Sequence, residues 1–386
     1  MLRGKIKSII KSLSGNKFST LNIIEISKSS IINNFDIIQN NNPNFSIIPV
    51  LKANAYGHGI IQVAKILNSV NCDFLAVDGY FEAAKINNIS KHKILVLGYI
   101  KPVNFNLLNT KKCSFVIQDI EGLKSLGLYK KPVNIHIELN TGMNRMGLQV
   151  DEINEYLNEV KKYSNINIEG IMTHLADADN DRDNSYTLGQ VKVFDNLVDK
   201  ILGLGFNPKY IHIAQTAGSV KVVSRHANSL RLGIGLYGIS PLSKKDKHSK
   251  CLNGLKPALK FTSTIVKVIA LKKGDRVSYN GIFDAPRKMN IAVLPLGYYE
   301  GIPSSLSNIR SVSFNNKFLP IVGRICMNHT MINIEGIDLK FGDVVTVISD
   351  RPDDLNSINC LAINHDLFRY SLMTGFSEST RRIIVD

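Results

Sequence analysis

The sequence lacks any apolar run long enough to cross a membrane, since runs such as Ile47–Leu51 are far shorter than the roughly 20 residues that a spanning helix needs. Cysteine is also scarce, with five residues in 386. They are odd in number and scattered, and no pair has C-x-x-C or metal-ligand spacing: Cys72, Cys113, Cys251, Cys326 and Cys360. We therefore expect reduced thiols, no metal site and a cytoplasmic protein.

Acidic residues are outnumbered, because 47 lysines and arginines accompany 32 aspartates and glutamates, for a formal net charge of +15. This charge raises the hypothesis of a nucleic-acid partner. The basic residues are spread along the chain with few aromatic residues between them, so we predict no nucleic-acid function. A hydrophobic fraction of 44% and a charged fraction of 20% are typical of a soluble globular protein.

Residues 1–20 contain no acid and four lysines: Lys5, Lys7, Lys11 and Lys17. A secretory signal is excluded, because the segment has neither a continuous apolar core nor a small-residue cleavage site. Several apolar residues could share one helical face: Leu2, Ile6, Ile9, Ile10 and Leu13. We interpret residues 1–20 as a basic N-terminal tail or short helix and predict no membrane insertion, and a surface-binding helix stays the alternative.

From about residue 45 the chain alternates short β-like runs with helical stretches. The eight β-like runs are Ser46–Leu51, Phe74–Asp78, Ile94–Gly98, Ser114–Gln118, Val133–Glu138, Ile168–Thr173, Tyr210–Ala214 and Leu230–Tyr237. The helical candidates are Ile60–Val70, Tyr80–Asn88, Ile120–Leu126, Glu152–Tyr163 and Ser185–Leu204. Several runs are continuously apolar, as buried parallel strands are. The count predicts a (β/α)₈ barrel over residues 21–250, with an open doubly wound sheet as the alternative.

After Gly238 the pattern changes. A polar, lysine-rich segment, Pro241–Lys250, is typical of a linker. The strand-like runs beyond it are separated by turns and comprise Lys260–Ala270, Met289–Pro295, Lys317–Gly323, Met331–Ile334 and Asp343–Ile348. We predict a mainly β C-terminal domain over residues 251–386.

Lys52 is the first candidate for chemistry, because it ends the first predicted strand. Functional residues of (β/α)₈ barrels lie at the C-terminal ends of strands. A partly desolvated lysine there has a lowered pKa suited to Schiff-base chemistry. Taken alone, an ordinary surface lysine would be the better interpretation.

The residues around Lys52 change that interpretation. The run Val50–Gly59, which reads VLKANAYGHG, closely resembles the cofactor-lysine signature of alanine racemases. The likeness extends from about residue 20 to the C-terminus. It reappears in the family's order and near its spacing, at Asn140–Gly147, Gly170–His174, Arg231–Gly238, Val277–Gly281 and Gly323–Asn328.

The resemblance implies a pyridoxal 5'-phosphate (PLP) enzyme in which Lys52 holds the cofactor and acts as one acid/base. Tyr279 matches the acid/base on the opposite face of the substrate. A racemase needs two such groups, because one removes the α-proton and the other returns it to the far side. His174 and Arg231 match residues of the cofactor site. As lone residues they would be a core histidine and an exposed arginine.

Arg231 also bears on the type of reaction. In the family this arginine donates to the pyridine nitrogen of PLP, which keeps that nitrogen unprotonated and favours simple proton exchange. Related barrel decarboxylases place an acidic residue there. The resemblance further implies phosphate-binding residues, namely Tyr56, Thr216, Gly233, Ile234 and Tyr370. It implies substrate-carboxylate binding by Arg145 and by the backbone of Met327.

Several positions depart from the family. Glu138 stands where many relatives have a carbamylated lysine, so we predict that its carboxylate supplies a negative partner for Arg145 directly, as an ion pair. The other departures keep polarity but alter charge or length: Asn140, Gln215, Glu300 and Asn328. They bear on pocket shape, rate and substrate range more than on cofactor binding.

The leading hypothesis is an alanine racemase that interconverts L- and D-alanine for a peptidoglycan cell wall. The resemblance implies a homodimer with shared active sites. The alternatives are a racemase for another small amino acid such as serine, a barrel decarboxylase and a non-catalytic PLP-binding protein. Tyr279 and the β domain argue against the last, whose known form is a lone barrel.

Overall fold

The computed structural model describes residues 19–107, 109–129 and 131–386. Most of the predicted basic tail therefore lies outside the described residues. The chain forms two compact units. The barrel unit comprises Ile26–Ala258 and Ile384–Asp386, and the β unit comprises Leu259–Ile383 and the described residues up to Glu25. These divisions fall a few residues from the boundaries used in the sequence analysis.

The barrel unit contains eight parallel strands. Barrel strands one to eight are Ser46–Pro49, Phe74–Val77, Lys93–Val96, Cys113–Ile117, Val133–Glu138, Ile166–Met172, Tyr210–His212 and Ser229–Leu232. The second to eighth strands pair in sequence order, and the first strand pairs with the eighth. A parallel bridge between Val50 and Ala76 joins the first strand to the second and closes the sheet. The predicted (β/α)₈ barrel is thus confirmed over the open sheet.

Burial explains why these runs form barrel strands. Every residue of Phe74–Val77 and Cys113–Ile117 is buried, as parallel strands covered on both faces require. The predicted eighth strand was too long, because it ends at Leu232. Gly233 adopts a conformation outside the strand region (φ −94°, ψ −113°), and Ile234–Tyr237 then forms a 3₁₀ turn.

Helices accompany the strands of the barrel unit. They are Lys28–Asn41, Ile60–Leu67, Tyr80–Ile86, Ile120–Gly127, Ile153–Val160, Ser185–Gly203 and the short Gly218–Lys221, with 3₁₀ turns at Pro102–Leu107, Ile234–Tyr237 and Ser249–Leu252. Lys28–Asn41 was not among the predicted helices. It begins after Ser27, whose side-chain oxygen accepts from the Ser30 amide. Within the described part of the chain, no helix is both long and apolar enough to span a bilayer.

The segment predicted as a linker belongs to the barrel unit. Asp246 is buried and forms an ion pair of 2.7 Å with the equally buried Lys221. Lys221 also donates to the Asn180 carbonyl oxygen at 2.7 Å. These contacts fix the segment against the barrel.

The β unit confirms the predicted mainly β domain. Its six-stranded sheet has the order Lys317–Pro320, Ser311–Phe314, Val344–Ile348, Leu259–Thr264, Asn22–Ser27 and Arg381–Val385. A three-stranded sheet contains Lys267–Leu271, Met289–Leu294 and Thr330–Asn333, and a hairpin pairs Arg276–Val277 with Phe283–Asp284. Two helices, Ile358–Asn364 and Arg369–Thr374, and 3₁₀ turns at Tyr279–Gly281 and Ser304–Leu306 complete it.

Candidate active site

Lys52 begins an unusual turn at the C-terminal end of the first barrel strand. The four residues Ala53–Tyr56 all have φ between 50° and 54°, which makes one turn of left-handed helix. Such backbone costs about 1–2 kcal/mol per non-glycine residue. The Asn54 side-chain oxygen accepts from the Ile60 amide at 2.9 Å, and the Asn54 amide donates to Glu82 at 3.1 Å. The surrounding contacts therefore hold a strained turn that fixes the position of Lys52.

Two hydroxyl groups and two glycines meet near the eighth strand. A Cβ atom on Gly233 would lie 2.9 Å from the Tyr56 hydroxyl, so a larger residue there would displace that hydroxyl. The Gly235 amide donates to the Thr216 hydroxyl at 3.2 Å, and Ile234 between the glycines is buried. The structure thus brings together the predicted phosphate-binding residues of the barrel. Hydroxyls and backbone amides are suitable donors for a dianion.

Arg231 is 3% exposed and its guanidinium is held by several acceptors. Nη1 donates to His212 Nδ1 at 2.7 Å and to the His212 carbonyl oxygen at 2.9 Å. Nη2 donates to the carbonyl oxygens of Thr173 and Ile213, at 2.6 and 3.2 Å. Burial lowers the pKa of Arg231 to about 10, which leaves it a cation at neutral pH. Of the N–H groups of Arg231, only Nε–H has no acceptor among the described residues.

His174 follows the sixth strand and contacts the same guanidinium. Its Nδ1 atom accepts from Arg231 Nη2 at 3.1 Å. Burial and the charge of Arg231 lower the pKa of His174 to about 3. The ring is therefore neutral at neutral pH and, because Nδ1 accepts, carries its proton on Nε2.

Glu138 ends the fifth strand, but the expected ion pair with Arg145 is not formed among the described residues. Glu138 is buried and accepts a hydrogen bond from Gln118 Nε2 at 2.7 Å, whereas Arg145 is exposed. Burial raises the pKa of Glu138, while the charges of Arg231 and Arg145 oppose the rise. The two arginines thus act on this carboxylate through electrostatic attraction over a longer distance.

Asn140 organises the loop that carries Arg145. Its side-chain oxygen accepts from the amides of Gly142 and Asn144, at 3.1 and 3.0 Å. Its Nδ2 donates to the Asn144 side chain at 2.9 Å. An asparagine, which both donates and accepts, serves this loop in a way that the usual aspartate cannot.

In the β unit, Tyr279 and Met327 come to one edge. The Ser278 hydroxyl donates to the Arg324 carbonyl oxygen at 2.6 Å, which joins the loops that carry them. Ser278 and Asn280, on either side of Tyr279, both have positive φ, of 67° and 61°. The side chains of Tyr279 and Met327 are 67% and 53% exposed.

Two of the departures contact each other at this edge. Asn328 Nδ2 donates to Glu300 Oε1 at 2.8 Å, and Glu300 Oε2 accepts from the Gly297 amide at 2.7 Å. The pair replaces two aspartates of the usual pattern by a donor and an acceptor. Tyr370 lies on the helix Arg369–Thr374, and its assignment to the cofactor phosphate stays a prediction.

Sequence reasoning missed several polar residues that support the site. They are Glu82, Gln118, His136, Glu169 and His212. One signal was available, since His136, Glu169 and His212 lie inside predicted strands between apolar neighbours or glycine. Buried polar groups of this kind need partners. The described residues include no group of three or more His, Cys, Asp and Glu side chains arranged to hold a metal ion.

A lysine on a rigid turn at the mouth of a closed barrel, with an arginine kept charged nearby and a mainly β unit after it, defines the class of barrel-type, PLP-dependent amino-acid racemases, which are isomerases. Comparison with known families narrows the class. The sequence matches the alanine racemase N-terminal domain over residues 26–241 and the alanine racemase C-terminal domain over residues 258–384. The chain belongs to the alanine racemase family, and this membership implies PLP as the cofactor.

Individual relatives agree with this placement. The chain is 30% identical over 375 residues to an alanine racemase of Staphylococcus saprophyticus, covering 95% of this chain and 96% of that protein. It is similar to the crystal structure of an alanine racemase of Bacillus anthracis with bound L-Ala-P, at 28% identity and a TM-score of 0.88, covering 96% of each chain. It is also similar to a histidine racemase of Leuconostoc mesenteroides, at 25% identity and a TM-score of 0.86, covering 96% of this chain and 100% of that one.

Proposed function

We propose that this protein interconverts L-alanine and D-alanine with PLP bound at the barrel mouth. The observation that carries the proposal concerns Arg231. It is a cation whose two terminal nitrogens already have acceptors, so that only its Nε–H stays available as a donor. A permanently charged donor at the pyridine nitrogen keeps that nitrogen unprotonated and favours proton exchange over other PLP reactions. A decarboxylase of the related barrel type would have an acid at this position.

The residues present fit PLP. Tyr56, Thr216 and the backbone of Gly233 and Ile234 offer hydroxyls and amides for the phosphate, and a Cβ at Gly233 would displace the Tyr56 hydroxyl. Lys52, on its fixed turn, would hold the cofactor covalently. When bound, PLP withdraws electrons from the substrate and so acidifies its α-proton.

Two groups of this chain would move the proton. We assign Lys52 Nζ to one face of the substrate Cα and the Tyr279 hydroxyl to the other. A phenol is a poor base at neutral pH, and the neutral His174 can stabilise it, since its Nε2–H is a donor. Arg145 and the backbone amide of Met327 would bind the substrate carboxylate.

We further propose a homodimer in which the Tyr279 of one copy serves the Lys52 of the other. Large exposed side chains at the edge of the β unit support this arrangement, because a monomer seldom leaves several such side chains together in water. They are Tyr279, Ile282, Tyr298, Tyr299 and Met327. The expected setting is the cytoplasm, with D-alanine used for peptidoglycan.

The test is exchange of the α-proton in deuterated water over a panel of amino acids, including serine and histidine. We expect a yellow protein that exchanges the α-proton of alanine fastest. The Lys52→Ala variant should be inactive and should introduce no deuterium into the amino acid. Lys65→Ala, an exposed lysine in the last turn of the helix Ile60–Leu67, is the matched control. A colourless protein, or one that prefers another amino acid, would contradict the proposal.

Mixing two inactive variants tests the shared site. Refolded or co-expressed Lys52→Ala and Tyr279→Phe chains would form some mixed dimers, each with one intact pair of bases. We expect recovery of about one quarter of wild-type activity for random assortment in a symmetric dimer. No recovery in a demonstrated mixed dimer would show that each chain supplies both bases to its own site.

A further inference from the structure

A line of buried polar side chains leaves Arg231 and crosses the interior of the barrel. His212 Nε2 lies 2.8 Å from His136 Nδ1. His136 Nε2 lies 3.8 Å from Glu169 Oε2, within the distance of an ion pair but beyond that of a hydrogen bond. Both histidines are completely buried, and Glu169 is 8% exposed. The proposed function assigns no role to His136 or Glu169.

In the observed geometry, the contacts of this line allow only one placement of its protons. A guanidinium can only donate, so His212 Nδ1 must accept from Arg231 and the His212 proton must be on Nε2. That proton points at His136 Nδ1, which must also accept. His136 then carries its proton on Nε2, the atom nearest to Glu169. Both imidazoles are neutral and have the same tautomer.

The strand that carries Glu169 has a β-bulge at this residue. Pairing of the fifth and sixth strands shifts by one residue, because Ile135 pairs with Ile168 but His136 pairs with Gly170. Glu169 is the extra residue, and such a bulge redirects side chains. The next residue must be glycine, since a Cβ on Gly170 would lie 2.3 Å from His136 Nδ1.

Aromatic rings enclose the His136 imidazole. Tyr210 stacks on it with ring centroids 6.0 Å apart, and Phe74 meets it edge-on at 5.6 Å. These rings come from the seventh and second strands and leave the imidazole little freedom to turn. Its orientation is thus set by packing as well as by hydrogen bonds.

Glu169 is itself anchored. The Ser114 hydroxyl donates to Oε2 at 2.5 Å and Lys93 Nζ donates to Oε1 at 3.0 Å. Lys93 is the first residue of the third strand, so the line runs from the site toward the opposite end of the barrel. Burial alone would raise the pKa of Glu169, but the neighbouring His136 imidazole and hydrogen bonds from Ser114 and Lys93 lower it to about 2. The carboxylate is ionised at neutral pH.

We propose that Glu169 and His136 are positioning residues for the reaction: through His212 they fix the tautomer and orientation that keep Nη1 of Arg231 occupied and its Nε–H directed to the cofactor. This inference rests on the proposed function for its catalytic consequence. Its structural part stands without it. If His212 could take the other tautomer, its Nδ1–H would face the guanidinium, and Arg231 would have to move.

The first experiment measures tautomers in the intact protein by ¹⁵N NMR of labelled histidine rings. We expect His136 and His212 to carry protons on Nε2 alone and to stay neutral from pH 6 to pH 9. In His136→Leu the His212 signal should show a mixture of tautomers, while His136→Asn, whose side-chain oxygen replaces Nδ1 as acceptor, should restore the single one. A proton on His136 Nδ1 in the wild type would overturn the proposal, whatever the activity of the protein.

The second experiment measures kinetics and the absorption spectrum of the bound cofactor against pH. We expect His136→Leu to lower kcat for racemisation about tenfold with KM changed less than twofold, and to shift the pH at which the cofactor spectrum titrates. His136→Asn should recover most of both effects, and Glu169→Gln should show a smaller loss of kcat with the same spectral shift.

Glu159→Gln is the matched control, because Glu159 is also 8% exposed and also bound by a lysine and a hydroxyl, from Lys162 and Tyr163, but has no contact with the line. It should leave kcat and the spectrum unchanged. Equal kcat and spectra for the wild type and His136→Leu would refute the positioning role. A yellow protein inert toward every amino acid would refute the proposed function while leaving the tautomer experiment valid.

Discussion

The barrel unit and the β unit hold their site residues in opposite ways. Arg231 of the barrel is almost fully buried, and its two terminal nitrogens are held by imidazoles and carbonyl oxygens. Tyr279 of the β unit is two-thirds exposed on a turn with positive φ on both sides. Arg231 is positioned by packing and by hydrogen bonds to its own side chain, whereas Tyr279 is positioned mainly by the backbone conformation of its turn.

Because of this difference, substitutions in the two units should affect stability and reaction rate differently. Buried polar groups in the barrel need every partner, since an unsatisfied one costs about 1–3 kcal/mol. An exposed hydroxyl costs little to remove, so its replacement reports on chemistry with less effect on folding. Substitutions in the barrel should therefore change stability and rate together, and those at the β edge should separate them.

The largest expected effect is at the β edge. Tyr279→Phe removes only a hydroxyl, so we expect unchanged stability and a loss of roughly 10²- to 10⁴-fold in exchange of the α-proton from one alanine enantiomer, as for other general acid–base groups. Exchange from the other enantiomer, assigned to Lys52, should fall less. Tyr298→Phe is the control on the same edge. Equal loss for both enantiomers would contradict the division of work between two bases.

Arg231→Lys should lower both kcat and the stability of the protein. An ammonium has three donors and no planar fork, so it leaves buried acceptors such as Thr173 O without a partner. We expect about 2–4 kcal/mol lower free energy of unfolding and roughly 10²-fold lower kcat. Arg287→Lys in the β unit, whose exposed fork binds Glu335 at 2.8 and 2.9 Å, should change stability by less than about 1 kcal/mol. Comparable losses of stability in the two variants would contradict the difference between the buried arginine of the barrel and the exposed arginine of the β unit.

Acid should destabilise the barrel through its neutral histidines. Burial lowers the pKa of His136, His174 and His212 in the folded state, to about 3 for His174. Below an unfolded pKa of about 6.5 the unfolded chain binds protons that the folded chain does not, so stability is lost as pH falls. Glu169, with a lowered pKa, adds loss in the same direction below about pH 4.5, its ordinary value.

The measurement is denaturant unfolding between pH 6 and pH 5. The free energy of unfolding should fall with pH, and His136→Asn should reduce the slope by up to about 1.4 kcal/mol per pH unit, the contribution of one histidine. An unchanged slope would mean that His136 binds a proton in the folded protein.

Glu138→Gln should have a smaller effect. The substitution replaces a buried carboxyl group, which lies in the field of Arg231 and Arg145, by a neutral amide of the same size. We expect the KM for alanine to rise roughly three- to tenfold with little change in kcat, the pattern of a loss in binding rather than in the transition state. Asp195→Asn, a buried carboxylate bound by Ser224, is the control. Unchanged kinetics would exclude a role for Glu138 in substrate binding.

The smallest expected effect is at the β edge again. Asn328→Asp replaces the donor to Glu300 by a second carboxylate. We expect a loss of about 0.5–1.5 kcal/mol in stability at pH 8 that becomes smaller as the pH is lowered and the carboxylates are protonated. Asn316→Asp, on an exposed turn of the same unit, should cost less. A stabilising effect of Asn328→Asp would show that the hydrogen bond to Glu300 is unimportant.

Much of the fold was predictable from the sequence by itself. Continuously apolar runs such as Phe74–Val77 favour strands buried on both faces, and eight β-like runs alternating with helices predicted a barrel, with an open sheet as the alternative. The resemblance also assigned roles to Lys52, Arg231 and Tyr279 from motifs in the family's order and near its spacing, and those roles stay predictions. These features are local, because each depends on a short run of residues and its order in the chain.

Tertiary structure alone decided the rest. No local pattern shows that Glu138 accepts from Gln118 and not from Arg145, since the three residues lie on different loops and strands. The line from Arg231 to Glu169 likewise joins residues far apart in the chain. Strand pairing and a bulge bring them together, and hydrogen bonds between such side chains exist only when the barrel has closed. The sequence determined which strands and which reactive groups exist, and the closed barrel decided which of those groups are held and in what protonation state.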